Sequence, residues 1–394
     1  MKRLVASVLS FVLAFALVAC QAGAASSSAG NSTGSTGTST AATGEDVVLG
    51  ASIQLTGATP LDGERVKQAL ELVVKETNAN GGVLGGRQLK LIVEDNQADQ
   101  TQAINVANKL LSSGVVAVFG PHESTNAMAV QQMMGEAKIP FITGGTSPSL
   151  AKVGNEYMFM CRASDTIMAR VAAAYATEQL GAKNVAIMYN NNEYGTGGQT
   201  TAQAYFDENG ISYIAEGHNS GDKDMTAQLL KAKQAGCDTI FLWAHAAETV
   251  VLARQIYELD LGMKVVACPT PTLAQVTDLC ETEWLEGWFA VTDYVPSSTE
   301  DYVVEFQQKF EAEYGVQPEM FAAAWYGAGL AMVDAIERAG SADPVAIQKA
   351  LTEVDGLQGI VGTLSCDDTN SFVHEGKMVE IKDKQAVLME TVSA

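Results

Sequence analysis

Histidine is scarce in this 394-residue chain: His122, His218, His245 and His374 are the only four, and neither HExxH nor CxxC spacing occurs. A tetrahedral metal site needs clustered imidazole or thiolate ligands, so the sequence offers no metal centre and no cofactor is expected. Phosphate-binding signatures are missing too. The Gly-rich stretch "NANGGVLGGRQL" (78–89) lacks both the Gly-Lys-Ser/Thr of a phosphate loop and GxGxxG spacing, and reads as a turn between helix and strand. Positive charge is in short supply, with 24 Lys and Arg against 46 Asp and Glu for a net charge of -22. Such a surface repels phosphate backbones and anionic headgroups, which argues against a nucleic-acid partner. The one cluster resembling catalytic machinery, His122-Glu123-Ser124, fails on geometry. Three successive residues cannot converge on one proton-transfer line, so no serine triad and no enzyme is expected.

The first residues read as an export signal. Lys2-Arg3 precedes an apolar run of 16 residues, "LVASVLSFVLAFALVA", too short for the ~20 residues of a membrane-spanning helix. Its end, "LVAC" (17–20), resembles the bacterial lipobox, which implies cleavage before Cys20 and lipidation of that thiol; a retained anchor and plain secretion are the alternatives. Losing Lys2 and Arg3 would take the net charge from -22 to -24. From Ala22 to Gly44 only Ala, Gly, Ser, Thr and Asn occur, a composition unable to offset the entropy of ordering. It reads as a tether spanning roughly 25 Å. The other cysteines (Cys161, Cys237, Cys268, Cys280 and Cys366) are odd in number and widely spaced. Cys268 and Cys280 could bridge a loop in an exported protein; free buried thiols are the other reading.

From Glu45 onward short apolar runs alternate with amphipathic segments. "VVLGASIQL" (47–55), "LKLIVED", "VVAVFG" and "IPFIT" read as strands, and the helix "ERVKQALELVVKETN" carries Val66, Ala69, Leu70, Val73 and Val74 on one face. A second alternating run starts near Asp165 with a helix over 166–180, then the strands "VAIMY", "ISYIAE", "TIFLW" and "KVVA". Helices over 299–314 and 320–339 and a hairpin of "KMVEIK" and "AVLMET" around Asp383-Lys384 close the chain. The expected class is α/β, with parallel sheets flanked by helices. In such folds ligands sit at the carboxyl ends of strands, where helix N-termini offer unpaired N–H groups suited to a carboxylate. "FGPHEST" (119–125) and "ITGGTSPS" (142–149) are loops of this kind, with Ser124 and Thr146 as hydroxyl donors; simple helix capping is the alternative.

Taken in order, "LTG", "NANGGVLGGRQLKLIVEDNQADQTQAINVANKLL", "VVAVFGPHEST", "IPFITGGTSPSL", "LGAKNVAIMYNNNEYGTG", "GDKDMTAQLLKAKQAGCDTIFL" and "GTLSCDD" resemble the leucine/isoleucine/valine-binding family of ABC-importer receptors. The resemblance covers 46–394 and implies a type I periplasmic binding protein: two Rossmann-like lobes, joined by three crossings, that close on a ligand. It implies a signal segment at 1–19, a lipidated tether at 20–45, a first lobe of 46–164 plus 292–370 and a second of 165–291 plus 371–394. It further implies that Ser124 and the Gly144-Gly145-Thr146 backbone hold a ligand carboxylate, with Tyr194 and the Asp165 loop across the cleft. His122 and Glu123 then fall to loop and rim. Two departures stand out. Pro269 takes the place of an acidic residue that pairs with the ligand's ammonium, and Asp62 occupies a position often aromatic; the aromatic after "TIFLW" aligns with His245 or Ala246. Asp62 or Glu248 could take over the amine. The implied function is a lipid-tethered receptor passing a small carboxylate-bearing solute, an amino acid of branched-chain type, to ABC permease subunits. The alternatives are a sensor reporting to a signalling partner and a receptor for another solute such as an aromatic acid or amide. If Cys20 carries the lipid, Cys20→Ala should give an unprocessed or released protein without lipid label in a metabolic-labelling experiment; unchanged labelling would refute the assignment.

Overall fold

In the computed structural model, which describes residues 44–393, the strand and helix alternation becomes two sheets. The signal segment, Cys20 and all of the tether up to Thr43 lie outside the described residues. Among the described residues no helix is long and apolar enough to cross a membrane.

The first sheet and its helices run β1 (Val47–Ile53), α1 (Pro60–Ala79), β2 (Leu89–Asp95), α2 (Gln100–Leu111), β3 (Ala117–Phe119), α3 (Ser124–Glu136), β4 (Phe141–Thr143), α4 (Pro148–Lys152) and β5 (Met158–Met160). Its order is β2-β1-β3-β4-β5, parallel throughout. Val47, Leu49, Ala51 and Ile53 of β1 are buried, as are the intervening Gly50 and Ser52. Burial on both faces marks β1 as a central strand and explains why it reads as continuous rather than alternating. Ala103, Leu110, Ala127 and Val130 of α2 and α3 form a core on one face. The core on the other face includes Val66, Ala69 and Leu70 of α1, as the helical spacing anticipates.

The second sheet follows: α5 (Asp165–Ala174), β6 (Asn184–Asn190), α6 (Glu193–Glu208), β7 (Ser212–His218), α7 (Thr226–Gln234), β8 (Thr239–Trp243), α8 (Ala246–Glu258), β9 (Lys264–Ala267), the short helices α9 (Ala274–Thr277) and α10 (Thr282–Leu285), and β10 (Phe289–Thr292). Then α11 (Asp301–Tyr314), α12 (Met320–Ala339) and α13 (Pro344–Thr352) return to the first sheet, with α11 and α12 packed on α1. A small β11 (Leu357–Gln358) and β12 (Thr363–Leu364) pair precedes β13 (Glu375–Lys382) and β14 (Gln385–Ser393), which rejoin the second sheet. Its order is β14-β13-β10-β9-β8-β6-β7. The sheet is parallel except at the closing hairpin, where β13 runs antiparallel to β10 and β14 antiparallel to β13. The closing hairpin forms as anticipated. Asp383 and Lys384 both take positive φ, 49° and 64°, the backbone a two-residue turn needs to match strand twist.

Two other expectations change, and one open pair of readings is decided. The helix anticipated over 166–180 ends as α5 at Ala174 and continues as a π-helical turn, Tyr175–Gln179. The short strand β5 and helix α13 were not anticipated; a fully buried three-residue run such as Met158–Met160 has no periodicity to read. Cys268 and Cys280 do not pair, and all five described cysteines are free. The Cys268 thiol instead lies 3.2 Å from the Ala244 carbonyl and 3.1 Å from the Thr270 hydroxyl.

The chain thus passes between the sheets three times: after β5, after β10 and before β13. Arg162 lies on the first passage and Asp293 on the second, and they form a buried ion pair at 2.9 Å. Lys377, in β13 just after the third passage, donates from Nζ to the Asp293 carbonyl at 3.2 Å. Removing one partner of a buried pair leaves an uncompensated charge, so Asp293→Ala should destabilise the protein by about 3–5 kcal/mol in urea denaturation. Arg162→Met added to Asp293→Ala should recover part of that loss. Additive losses would rule the pairing out as a source of stability.

Candidate functional site

The first sheet's order reverses between β1 and β3, and the second's between β6 and β8, so the loops at each strand end diverge and leave a crevice. Loops from both crevices line a single cavity, about 500 Å³ when the solvent at its mouth is included. The first sheet contributes Asp62 from the start of α1, His122, Glu123 and Ser124 after β3, and Gly144, Gly145 and Thr146 after β4. The second contributes Tyr194 after β6, His245 and Ala246 after β8, and Pro269, Thr270 and Leu273 after β9. Arg162 from the first crossing and Met320 and Phe321 at the start of α12 complete the wall.

The β3 and β4 loops are tied to each other. Thr143 Oγ1 donates to the Pro121 carbonyl at 2.6 Å and accepts from the Gly145 N–H at 3.0 Å. Ser124 Oγ accepts from the N–H groups of Thr146 at 3.1 Å and Ser147 at 3.2 Å. The two glycines are needed for this approach. A Cβ on Gly144 would lie 2.5 Å from His122 Nδ1, and one on Gly145 would lie 2.9 Å from Ser124 Cα. The N–H groups of 145–147 are therefore already used within the protein. At α3, by contrast, the N-cap Glu123 makes no side-chain capping bond and instead accepts from Thr59 Oγ1 at 3.0 Å. The first turn of α3 and the Ser124 hydroxyl hydrogen are what this loop can offer an anion.

On the opposite side Tyr194 packs against His245, ring centroids 5.1 Å apart, and His245 Nε2 lies 2.7 Å from the Asn192 amide nitrogen. Elements of the two sheets also meet directly. Ser149 Oγ donates to Glu193, Gln275 Nε2 donates to Asp62 Oδ1, and the Ala274 N–H donates to Glu319 Oε2 at 3.2 Å.

Burial sets the charge states. His122 is pushed down to about 3 by burial, with Arg162 adding to the effect. The neutral ring accepts at Nδ1 from Trp325 Nε1 at 3.0 Å, which places its proton on Nε2. Asp62 is raised well above the usual carboxyl range by burial, and the neighbouring Glu319 and Glu123 charges push the same way. Glu319 is raised by burial as well. Asp165 rises to about 7, again through burial.

With this geometry in place, the comparisons are direct. A model of the periplasmic binding protein family matches residues 46–386. The chain belongs to that family. It is 27% identical over 325 residues to Leu/Ile/Val-binding protein homolog 1 of Brucella suis, covering 82% of this chain and 86% of the relative. Its fold is similar to that of LivJ, a branched-chain amino acid transporter substrate binding protein of Streptococcus pneumoniae solved with isoleucine (TM-score 0.81, 23% identity, 89% and 100% of the two chains). It is also similar to an ABC-transporter solute binding protein of Rhodopseudomonas palustris solved with 3,4-dihydroxybenzoic acid (TM-score 0.79, 18% identity, 89% and 98%).

Within this periplasmic binding protein, Asp62, Ser124, Gly144, Gly145, Thr146, Tyr194 and His245 come together around the cavity. Asp165 does not line it. Its N–H donates to the Thr146 carbonyl at 2.7 Å, so it is bonded directly to the loop it was expected to face. His122 and Glu123, read as loop and rim, are both in the wall. Glu248 is away from the cavity, with Oε1 accepting from the Gly221 N–H at 2.6 Å, and is not placed to meet a ligand amine. Sequence reasoning missed Arg162, Leu273, Met320 and Phe321. Only Arg162 left a signal, as the one charged residue in "YMFMCRAS" (157–164). Because the folded ring of His122 resists protonation, its contribution to stability is full above its ordinary value of 6.5 and is lost as pH falls toward 3. In an NMR titration the ring should stay neutral at pH 5, and a midpoint near 6.5 would contradict its buried, Trp325-bound state.

Proposed function

We propose that this chain is the extracytoplasmic receptor of an ABC importer, lipid-tethered at Cys20, that binds a small carboxylate-bearing solute in the cavity and presents it to the permease subunits. The observation that carries this reading is the convergence of both sheets' strand-end crevices on one cavity. A site shared by two sheets, with the chain crossing between them at three places, is suited to closing and opening around a solute. Closure requires only that the solute bind the closed state more tightly than the open one.

In this reading the carboxylate sits at the start of α3, accepting from the Ser124 hydroxyl and first-turn N–H groups and competing with Ser124 Oγ for the Thr146 N–H. Tyr194 forms the facing wall, and Leu273, Met320 and Phe321 supply apolar surface for a side chain. An amino acid fits this division between a polar end and an apolar wall. The names of the relatives support the class, and a branched-chain side chain is the starting candidate on that ground. The lobes are those implied by the resemblance, with Arg162 and Asp293 at the hinge. No bond chemistry is assigned to the site.

Backbone donors survive side-chain substitution, so Ser124→Ala should weaken binding roughly ten- to hundredfold rather than abolish it. Calorimetric titration with the solute that co-purifies, and with its carboxamide analogue, tests this. Wild-type affinity in Ser124→Ala, together with equal binding of the carboxamide, would leave the α3 turn as a helix start and nothing more.

A further inference from the structure

The charges around the cavity do not balance for a zwitterion with an apolar side chain. Two lining side chains are acidic, Asp62 and Glu123, and one is basic, Arg162. Arg162 is already committed to Asp293 at 2.9 Å. His122 is neutral, and burial also lowers the basicity of His245. Glu319, whose charge acts on Asp62, pairs with Arg65 at 3.5 Å, and its Oε1 has no hydrogen-bond donor. An amino-acid ligand with no charge on its side chain is neutral overall and brings no second cation to these carboxyl groups.

Asp62 is the sharpest case. Its side chain lines the cavity yet the residue is only 6% exposed, and the Gln275 amide is its single hydrogen-bond partner among the described residues. That bond uses Oδ1, leaving Oδ2 without a donor. A carboxyl oxygen that opens on the cavity and accepts no bond from the protein has the chemistry of half an ion pair. The raised proton affinity of Asp62 agrees with this, since burial and the Glu319 and Glu123 charges outweigh the relief from the Gln275 bond and from Arg162. A cation brought in by the ligand would relieve all three effects at once.

We propose that the cavity selects an amino acid whose side chain ends in a cation, an ammonium or guanidinium group that pairs with Asp62 Oδ2 and lies beside Glu123. The proposal rests on the reading of the cavity as an amino-acid site. The apolar wall of Leu273, Met320 and Phe321 holds the aliphatic stem, and the carboxyl end holds the charge.

The test is calorimetric titration of the purified full chain with L-lysine, L-arginine, L-norleucine and L-leucine, at low and moderate salt. L-norleucine matches the lysine stem without its ammonium. Lysine or arginine should bind at least tenfold more tightly than norleucine and leucine. Asp62→Asn, which keeps shape and the Gln275 contact, should reduce the preference for the basic pair over norleucine by roughly ten- to hundredfold. Should the variant fold poorly, the wild-type ranking alone still decides. Leucine or norleucine binding as tightly as the basic pair overturns this proposal and leaves the amino-acid reading intact. Equal weakening of all four ligands by Asp62→Asn also overturns it, because Asp62 would then serve the α-ammonium. Binding of none of the four overturns the amino-acid reading itself, and this proposal with it.

Discussion

The architecture depends on one buried ion pair. Arg162 and Asp293 meet where the chain passes between the sheets, and neither is accessible to water to any useful degree. Each charge would be costly to bury alone, so the two passages are held in register by the need of each for the other. Lys377 extends the constraint to the third passage through the Asp293 carbonyl and also donates to the Val361 carbonyl at 2.9 Å. Arg162 reaches further, with Nη2 3.1 Å from Met320 Sδ and its guanidinium over the Phe321 ring. The pair that links the crossings thus also fixes one wall of the cavity.

The cavity inherits its character from that arrangement. A guanidinium spent on an internal partner contributes less positive potential to a ligand than a free one would. His122, held neutral by burial and by Trp325, contributes none. Carboxyl groups on α1, at the start of α3 and before α12 therefore set the local field. The α3 first turn and the Ser124 hydroxyl remain the favourable place for a ligand's own negative end. The site is thus polar in an ordered way, with donors at α3 and acceptors near Asp62, and an apolar wall between the second sheet and α12.

Much of the fold was legible because burial imposes period. Val66, Ala69, Leu70 and Val73 repeat at helical spacing and pack as expected, and β1, β6 and β8 read as near-continuous apolar runs because both their faces are covered. The three-residue β5 and the nine-residue α13 were harder. Met158–Met160 has too few residues for a period, and the change from α5 to a π-helical turn at Tyr175 has no compositional marker. The loops at the strand ends were located correctly from Gly-Pro and Gly-Gly punctuation after apolar runs, which is how Ser124 and Thr146 came into view.

By itself the sequence determined an α/β chain with an acidic surface, no clustered metal ligands, and ligand-capable loops after its third and fourth strands. Local chemistry suffices for each of these, since periodicity, charge and turn residues act over a few positions. Tertiary structure alone decided which of those loops share a cavity. It bonded Asp165 to Thr146, drew His122 and Glu123 inward, kept Cys268 and Cys280 apart, and placed Asp62 within reach of the Glu319 charge, 257 positions later in the chain. The last joins residues hundreds of positions apart, and all of them follow from strand order and chain crossings, which no window of sequence encodes.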